Sequence, residues 1–180
     1  MSNMINDSRF QVEPLDAAAA RAAIDALCEL LLDTVASGAS VGFMAPLSMA
    51  RAQAFWRMVV EGVARGERVL FVARNAQGRI DGTVQLLVDM PDNQPHRGDI
   101  AKLQVHRRAR KHGLGAALML AAEAKAREMG KTLLVLDTAS AEAERLYQRQ
   151  GWQLCGRIPD YALLPEGGLC ATVIYYKALT

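Results

Sequence analysis

The sequence predicts a mixed α/β fold, and three stretches carry that prediction. At 99–116 an apolar series, Ile100, Leu103 and Val105, runs into a basic turn and then Gly113 and Gly115, which open a helix of strong helix formers. The apolar run 132–137 that follows is of strand length and suits a strand buried on both faces, completing a β-α-β unit. Two β-rich runs, 68–74 and 80–90, are joined by Asn75-Ala76-Gln77-Gly78, a turn of hairpin length that makes them antiparallel neighbours.

The remaining elements follow in order. Residues 1–8 are polar and read as loose, and 10–14 reads as a short strand stopped by Pro14. Asp16 suits an N-cap for a helix over 17–35, with Ile24, Leu27, Leu31 and Val35 on one stripe. Residues 37–46 break that pattern with Gly38, Gly42 and Pro46 yet carry Phe43 and Met44. Two readings stay open there: a binding loop, or a tight turn whose aromatic ring tucks into the core. Ser48 caps a helix over 49–65 with Ala52, Phe55, Trp56, Val59 and Val63 along one side. The helix after Gly115 ends at Gly130, and Ser140 caps a short one through Arg149, closed by Gly151. A strand over 152–157, an irregular loop over 158–168 with two prolines, and a strand over 169–178 finish the chain.

With 180 residues, 51% of them hydrophobic, and no linker or repeat, the chain reads as a single domain, 1–180, with a sizeable core. A formal charge of +2 is too small to indicate a nucleic-acid partner, so the clustered cations of 107–112 point instead to a small anionic ligand. Cys28, Cys155 and Cys170 lack disulfide or zinc spacing, so reduced core thiols and no metal are expected. The first thirty residues contain Asp7, Glu13 and Asp16 and no apolar leader, and no run of about 18 apolar residues occurs, so a cytoplasmic protein with no membrane partner is expected.

A helix N-terminus offers unpaired N–H groups and the positive end of a dipole, and glycines let an anion approach the main chain closely. Arg107, Arg108, Arg110, Lys111 and His112 add side-chain charge, so a diphosphate fits. The spacing matches neither a P-loop nor a dinucleotide fingerprint. Arg110-Lys111-His112-Gly113-Leu114-Gly115 does match Arg/Gln-x-x-Gly-x-Gly/Ala, and by it the chain resembles the GNAT superfamily of N-acetyltransferases. The resemblance implies a mostly antiparallel sheet whose central parallel pair splays around acetyl-CoA, with helices on both faces. It also implies that the backbone of Arg110, Lys111, His112, Gly113, Leu114, Gly115 and Ala116 holds the coenzyme diphosphate. Main-chain groups of Leu103, Gln104 and Val105 would pair with the pantetheine arm like an added strand.

Acyl transfer from a thioester needs a polarised carbonyl, a neutral amine and a proton for the departing thiolate. Leu146-Tyr147-Gln148-Arg149-Gln150-Gly151-Trp152 resembles the family's Leu-Tyr-x-x-x-Gly-Phe/Trp, which implies Tyr147 as the acid. Ser140 stands where the family usually has asparagine, implying either a pantetheine contact or only a helix cap. For the base, Asp99 matches an acidic position of some members, and Asp137, at a strand end facing the ligand crevice, is the second choice. Each also reads as a capping or loop-pairing residue. His96, His106 and His112 read as solvated or phosphate-facing.

Within the superfamily, 38–45, Leu136-Asp137-Thr138, Pro159-Asp160-Tyr161 and Thr172-x-Ile174-Tyr175-Tyr176-Lys177 resemble the tabtoxin-resistance type, which acetylates an amino-acid-like β-lactam toxin. That implies an acceptor site lined by Phe43, Met44 and Tyr161 and a small amine acceptor, with a homodimer left open. Two alternatives remain: a non-catalytic regulator that binds coenzyme A or a nucleotide, and an acetyltransferase for protein or ribosomal amines.

Overall fold

A computed structural model describes residues 6–7 and 10–179. Its core is an eight-stranded sheet in the order β1-β2-β3-β4-β5-β6-β8-β7. The strands are β1 (Asn6–Asp7), β2 (Phe10–Leu15), β3 (Arg68–Asn75), β4 (Ile80–Leu87), β5 (Arg97–Val105), β6 (Leu133–Thr138), β7 (Gln153–Leu163) and β8 (Leu169–Ala178). Neighbours are antiparallel except β5 and β6, the parallel pair that a crossover helix requires. That pairing covers only Arg97↔Leu133, Gly98↔Leu134 and Asp99↔Val135, after which the two strands separate.

Helices α1 (Ala17–Ala22), α2 (Ile24–Ala36) and α3 (Met49–Ala64) cover one face, where Leu27, Leu31, Trp56 and Val59 pack on Leu70 and Val72. Helices α4 (Leu114–Glu128) and α5 (Ala141–Arg149) lie on the other, where Leu118, Met119 and Tyr147 meet Val84, Leu86 and Leu134. Asp16 and Ser48 cap as their residue types predict, accepting from the amides of Ala19 and Arg51.

Four expectations need correction. The helix over 17–35 is two helices, because Ala23 at φ −90°, ψ 0° ends α1 and starts α2. The segment 1–8 falls largely outside the described residues, and its Asn6–Asp7 pair with Gln11 and Phe10 rather than hanging free. The loop over 158–168 is strand as far as Leu163: β7 lies at the sheet edge and absorbs Pro159 in an irregularity between Ile158 and Ala162, where no ladder N–H is demanded. Of the cysteines, Cys28 alone is core; Cys155 is exposed on β7 and Cys170 half-buried, and all three are free thiols.

Among the described residues no helix is long and apolar enough to cross a membrane, and no group of three His, Cys, Asp or Glu side chains could hold a metal ion.

Candidate active site

Where β5 and β6 part, a cavity of roughly 910 Å³ opens between the end of β5, the start of α4, α5, residues 37–44 of the loop before α3 and residues 161–164 at the end of β7. The parting leaves the β6-facing edge of β5 beyond Asp99 without a partner strand. One end of the cavity is the N-terminus of α4. Gly113 caps it at φ 80°, a left-handed conformation that glycine adopts without strain, and offers no side chain to the free amides. Ala117 N–H reaches Gly113 O, but among the described residues the amides of Leu114, Gly115 and Ala116 have no acceptor. Open amides at a dipole's positive end, beside an unpaired strand edge, fit a ligand with a diphosphate and an extended amide-bearing arm.

The basic turn is less free than its composition suggests. The backbone N–H of Arg107 donates to Asp33 at 3.0 Å, and its guanidinium pairs with the same carboxylate. Arg108 pairs with Asp81 at 2.7 Å and Glu29 at 2.9 Å, and Arg110 donates to Val105 O and Ser37 Oγ. These arginines therefore fasten the end of β5 to α2 and β4, and Lys111 is the cation of the turn left facing the cavity. Burial pushes the Asp33 carboxyl up, but the Arg107 amide and guanidinium together hold it below the usual carboxylate range. Its contribution is present above the ordinary carboxylate pKa of about 3.9 and is lost as pH falls through the lowered value. His106, expected in solvent or on phosphate, is instead tucked against Asp33, its Nδ1 accepting from Arg108 N–H. Burial lowers its pKa and favours the neutral ring.

Leu103, Gln104, Val105, Arg110, Lys111, Gly113, Leu114, Gly115, Ala116 and Ser140 all line the cavity, as do Tyr147, Asp137, Phe43, Met44 and Tyr161. His112 and Asp99 do not. His112 is exposed on the turn. Asp99 sits within the paired part of the sheet, opposite Val135 and Leu87, with its carboxylate 3.5 Å from Arg97 Nη1. Burial raises the Asp99 pKa, Arg97 opposes that, and the charge of Asp137 adds to it.

Asp137 stands one residue before the end of β6 and borders the cavity; its Oδ2 accepts from the buried Thr172 hydroxyl at 2.7 Å, and its Oδ1 has no hydrogen-bond partner among the described residues. Tyr147 is 4% exposed, its ring near Trp152 and Tyr175, and its hydroxyl has no hydrogen-bond partner among the described residues. Burial pushes its pKa well above the ordinary phenol value and Asp137 adds to the rise, so the hydroxyl keeps its proton at neutral pH. Ser140 caps α5 by accepting from Ala143 N–H, and it also lines the cavity.

The 37–46 loop tucks its aromatic ring into the core and also lines the cavity. Val41, Phe43, Ala45 and Leu47 alternate toward the α2–α3 core, with the Phe43 ring edge-on to Phe55 at 5.3 Å, while Met44 points out. Ala45 N–H donates to Pro165 O at 2.8 Å and ties this loop to the β7–β8 turn. The β7 irregularity, with Asp160 at φ 53°, accompanies Tyr161 to the cavity wall. Sequence reasoning missed Thr172 and Lys102. For Lys102 a signal existed: Ile100 and Leu103 are three residues apart, not two, which marks a bulge.

A parallel strand pair splayed over a helix start with free amides, and a buried phenol beside the gap, define an acyltransferase-type domain. The model of the Acetyltransferase (GNAT) family matches residues 20–152. An uncharacterised N-acetyltransferase of the hisH-hisA intergenic region of Azospirillum brasilense is 34% identical over 134 residues, 73% of this chain and 74% of that protein. Among solved structures, the ribosomal-protein-alanine N-acetyltransferase of Brucella melitensis superposes with a TM-score of 0.75 at 18% identity, covering 93% of this chain and 99% of that one. The phosphinothricin acetyltransferase of Sinorhizobium meliloti, solved with acetyl-CoA, gives 0.75 at 16% identity, covering 95% and 89%. The chain belongs to the GNAT family of acetyltransferases.

Proposed function

We propose that this single-domain protein moves the acetyl group of acetyl-CoA directly to the primary amine of a small molecule, in the manner of the tabtoxin-resistance type and in the cytoplasm. The observation that carries the reading is the pairing of Tyr147 and Asp137 at one splayed gap. Acetyl-CoA, when bound, supplies an activated acetyl thioester. The amides of Leu114, Gly115 and Ala116 suit its diphosphate, and the free edge of β5 near Leu103 suits its amide arm. Tyr147 holds a proton at its hydroxyl for the leaving sulfur, and Asp137 Oδ1 receives the proton that an ammonium must lose before it can attack. Asp137 is preferred to Asp99 because it borders the cavity. A small acceptor is favoured over a protein terminus by the Ala45–Pro165 tie, which joins the two loops over the site. The Brucella and Sinorhizobium proteins are named for unlike acceptors, so the fold leaves this choice to the loops.

The test is a screen of small amines and amino acids, tabtoxinine-β-lactam among them, read by release of free thiol, with coenzyme uptake followed by calorimetry. Turnover of a small amine is expected. Binding of the coenzyme without turnover of any amine would instead favour a regulatory protein. In the same assay, Asp137→Asn is expected to lower kcat/KM near neutral pH by about a hundredfold or more, the rate recovering as rising pH frees the amine unaided. Asp99→Asn is expected to change it little; equal profiles for the two variants would remove Asp137 as base.

A further inference from the structure

Lys102 occupies the irregular position of β5. Its φ of 55° is left-handed, rare for a residue with a side chain, and there the ladder slips: Gln85 faces Ala101 while Thr83 faces Gln104. The bulge turns Lys102 into the cavity, toward the 37–46 loop. Its ammonium lies against the backbone of Gly42, so close that a methyl group there would stand 3.3 Å from Nζ, and Gly42 itself has φ 89°. Among the described residues Lys102 makes no hydrogen bond and no ion pair, although it is half-buried and burial lowers its pKa. Asp137 is near enough for its charge to oppose that lowering, yet the two do not pair.

A half-buried ammonium without a partner is unfavourable unless a ligand completes it. Of the other cations that line the cavity, Arg110 is already engaged with Val105 O and Ser37, Lys111 stands beside the α4 N-terminus, and Arg149 is exposed at the end of α5. The loop side of the cavity thus presents a cation, Lys102, and an anion, Asp137, separated by open space.

We propose that Lys102 anchors an acidic group of the acceptor, so that the molecule acetylated here is an amine that also carries a carboxylate or a similar oxyanion. The oxyanion docks on Lys102 Nζ beside Gly42 while the amine faces Asp137. Charges so placed select by exclusion as well as attraction: a neutral amine leaves Lys102 unpaired, and a second ammonium would be repelled. This inference rests on the acceptor reading proposed above and narrows its substrate class.

The experiment compares glycine, β-alanine, 4-aminobutyrate and a set of larger α-amino acids with their carboxamides as acceptors, for the unaltered protein, Lys102→Met and Lys102→Arg. Charge-assisted hydrogen bonds set the expected preference for acid over amide at about 10- to 100-fold for the best spacing. Lys102→Met is expected to erase that preference chiefly through KM, with coenzyme A affinity unchanged, and Lys102→Arg to keep part of it. Amine-free carboxylic acids are expected to compete with the acceptor of the unaltered protein better than their amides, a readout that needs no variant to fold. An acid-to-amide ratio unchanged in Lys102→Met, or amides favoured by the unaltered protein, would overturn this inference alone. Coenzyme binding without turnover of any amine would overturn the small-amine reading and this inference with it.

Discussion

Replacing Tyr147 with phenylalanine is expected to lower kcat by about a hundred- to ten-thousand-fold, the range of a positioned general acid. Coenzyme affinity and thermal midpoint are expected to stay those of the parent. The ring fills the seam between Trp152 and Tyr175, and phenylalanine keeps it. The hydroxyl makes no hydrogen bond within the described protein, so its removal leaves no orphaned donor or acceptor behind. Kinetics of thiol release with calorimetric titration of coenzyme A check this, and an unchanged kcat would take Tyr147 out of the chemistry. The pH profile supplies a second check. Because burial and Asp137 raise the phenol's pKa, an alkaline limb that reports Tyr147 ionisation belongs above the ordinary value of about 10. That limb is expected to be absent from the phenylalanine variant.

The largest effect on stability is expected at Lys177, on β8. Its ammonium donates to Glu123 Oε2 at 2.7 Å and to Gln150 O at 2.7 Å, while Trp152 Nε1 donates to Glu123 Oε1 at 2.9 Å. Glu123 is 1% exposed on the inner face of α4. The carboxylate therefore joins α4, the α5–β7 turn and β8, the elements that hold Tyr147 against the sheet. Lys177→Met removes the closest cation from that buried carboxylate and leaves it the Trp152 donor and Arg127 Nη1 at 3.9 Å, a change that costs about 3–5 kcal/mol. For a chain of this size that lowers the thermal midpoint by about 6–20 °C. The double variant Glu123→Gln/Lys177→Met is expected to regain a substantial part of the loss, because no uncompensated charge remains. Denaturant midpoints across the four proteins of the cycle measure the coupling, and additive losses would refute it.

The helix start at Gly113 was legible because its signal is local. A glycine pair after a strand, followed by strong helix formers, specifies free amides from a few consecutive residues. Tyr147 could be proposed as the acid for the same reason, from a seven-residue pattern on one helix and its exit turn. The break at Ala23 was not, since alanine favours helix on both sides of it and the turn serves to bring Ala20 and Ala23 together onto the α3 core. Pro159 argued for a loop, and the strand persisted because an edge position makes no demand on its missing N–H. Nothing in the sequence around Glu123 marks it as buried; its partners Trp152 and Lys177 lie far along the chain.

The choice between Asp99 and Asp137 has the same origin. Asp99 opens one apolar series and Asp137 closes another, yet Asp99 lies where β5 and β6 still pair and Asp137 lies past their parting. The basic turn is a further case, because Asp33, Asp81 and Glu29 arrive from other elements to occupy Arg107 and Arg108.

From its residues alone, then, this protein's membership in an acyl-transferring fold and the free amides at the start of α4 follow, and Tyr147 can be proposed as its acid, because backbone conformation and helix capping respond to near neighbours. Which charges stay free, which carboxylate borders the cavity and where the unpaired Lys102 ammonium lies were decided only by tertiary packing. A charge acts through space, and the groups that neutralise or expose it come from distant parts of the chain.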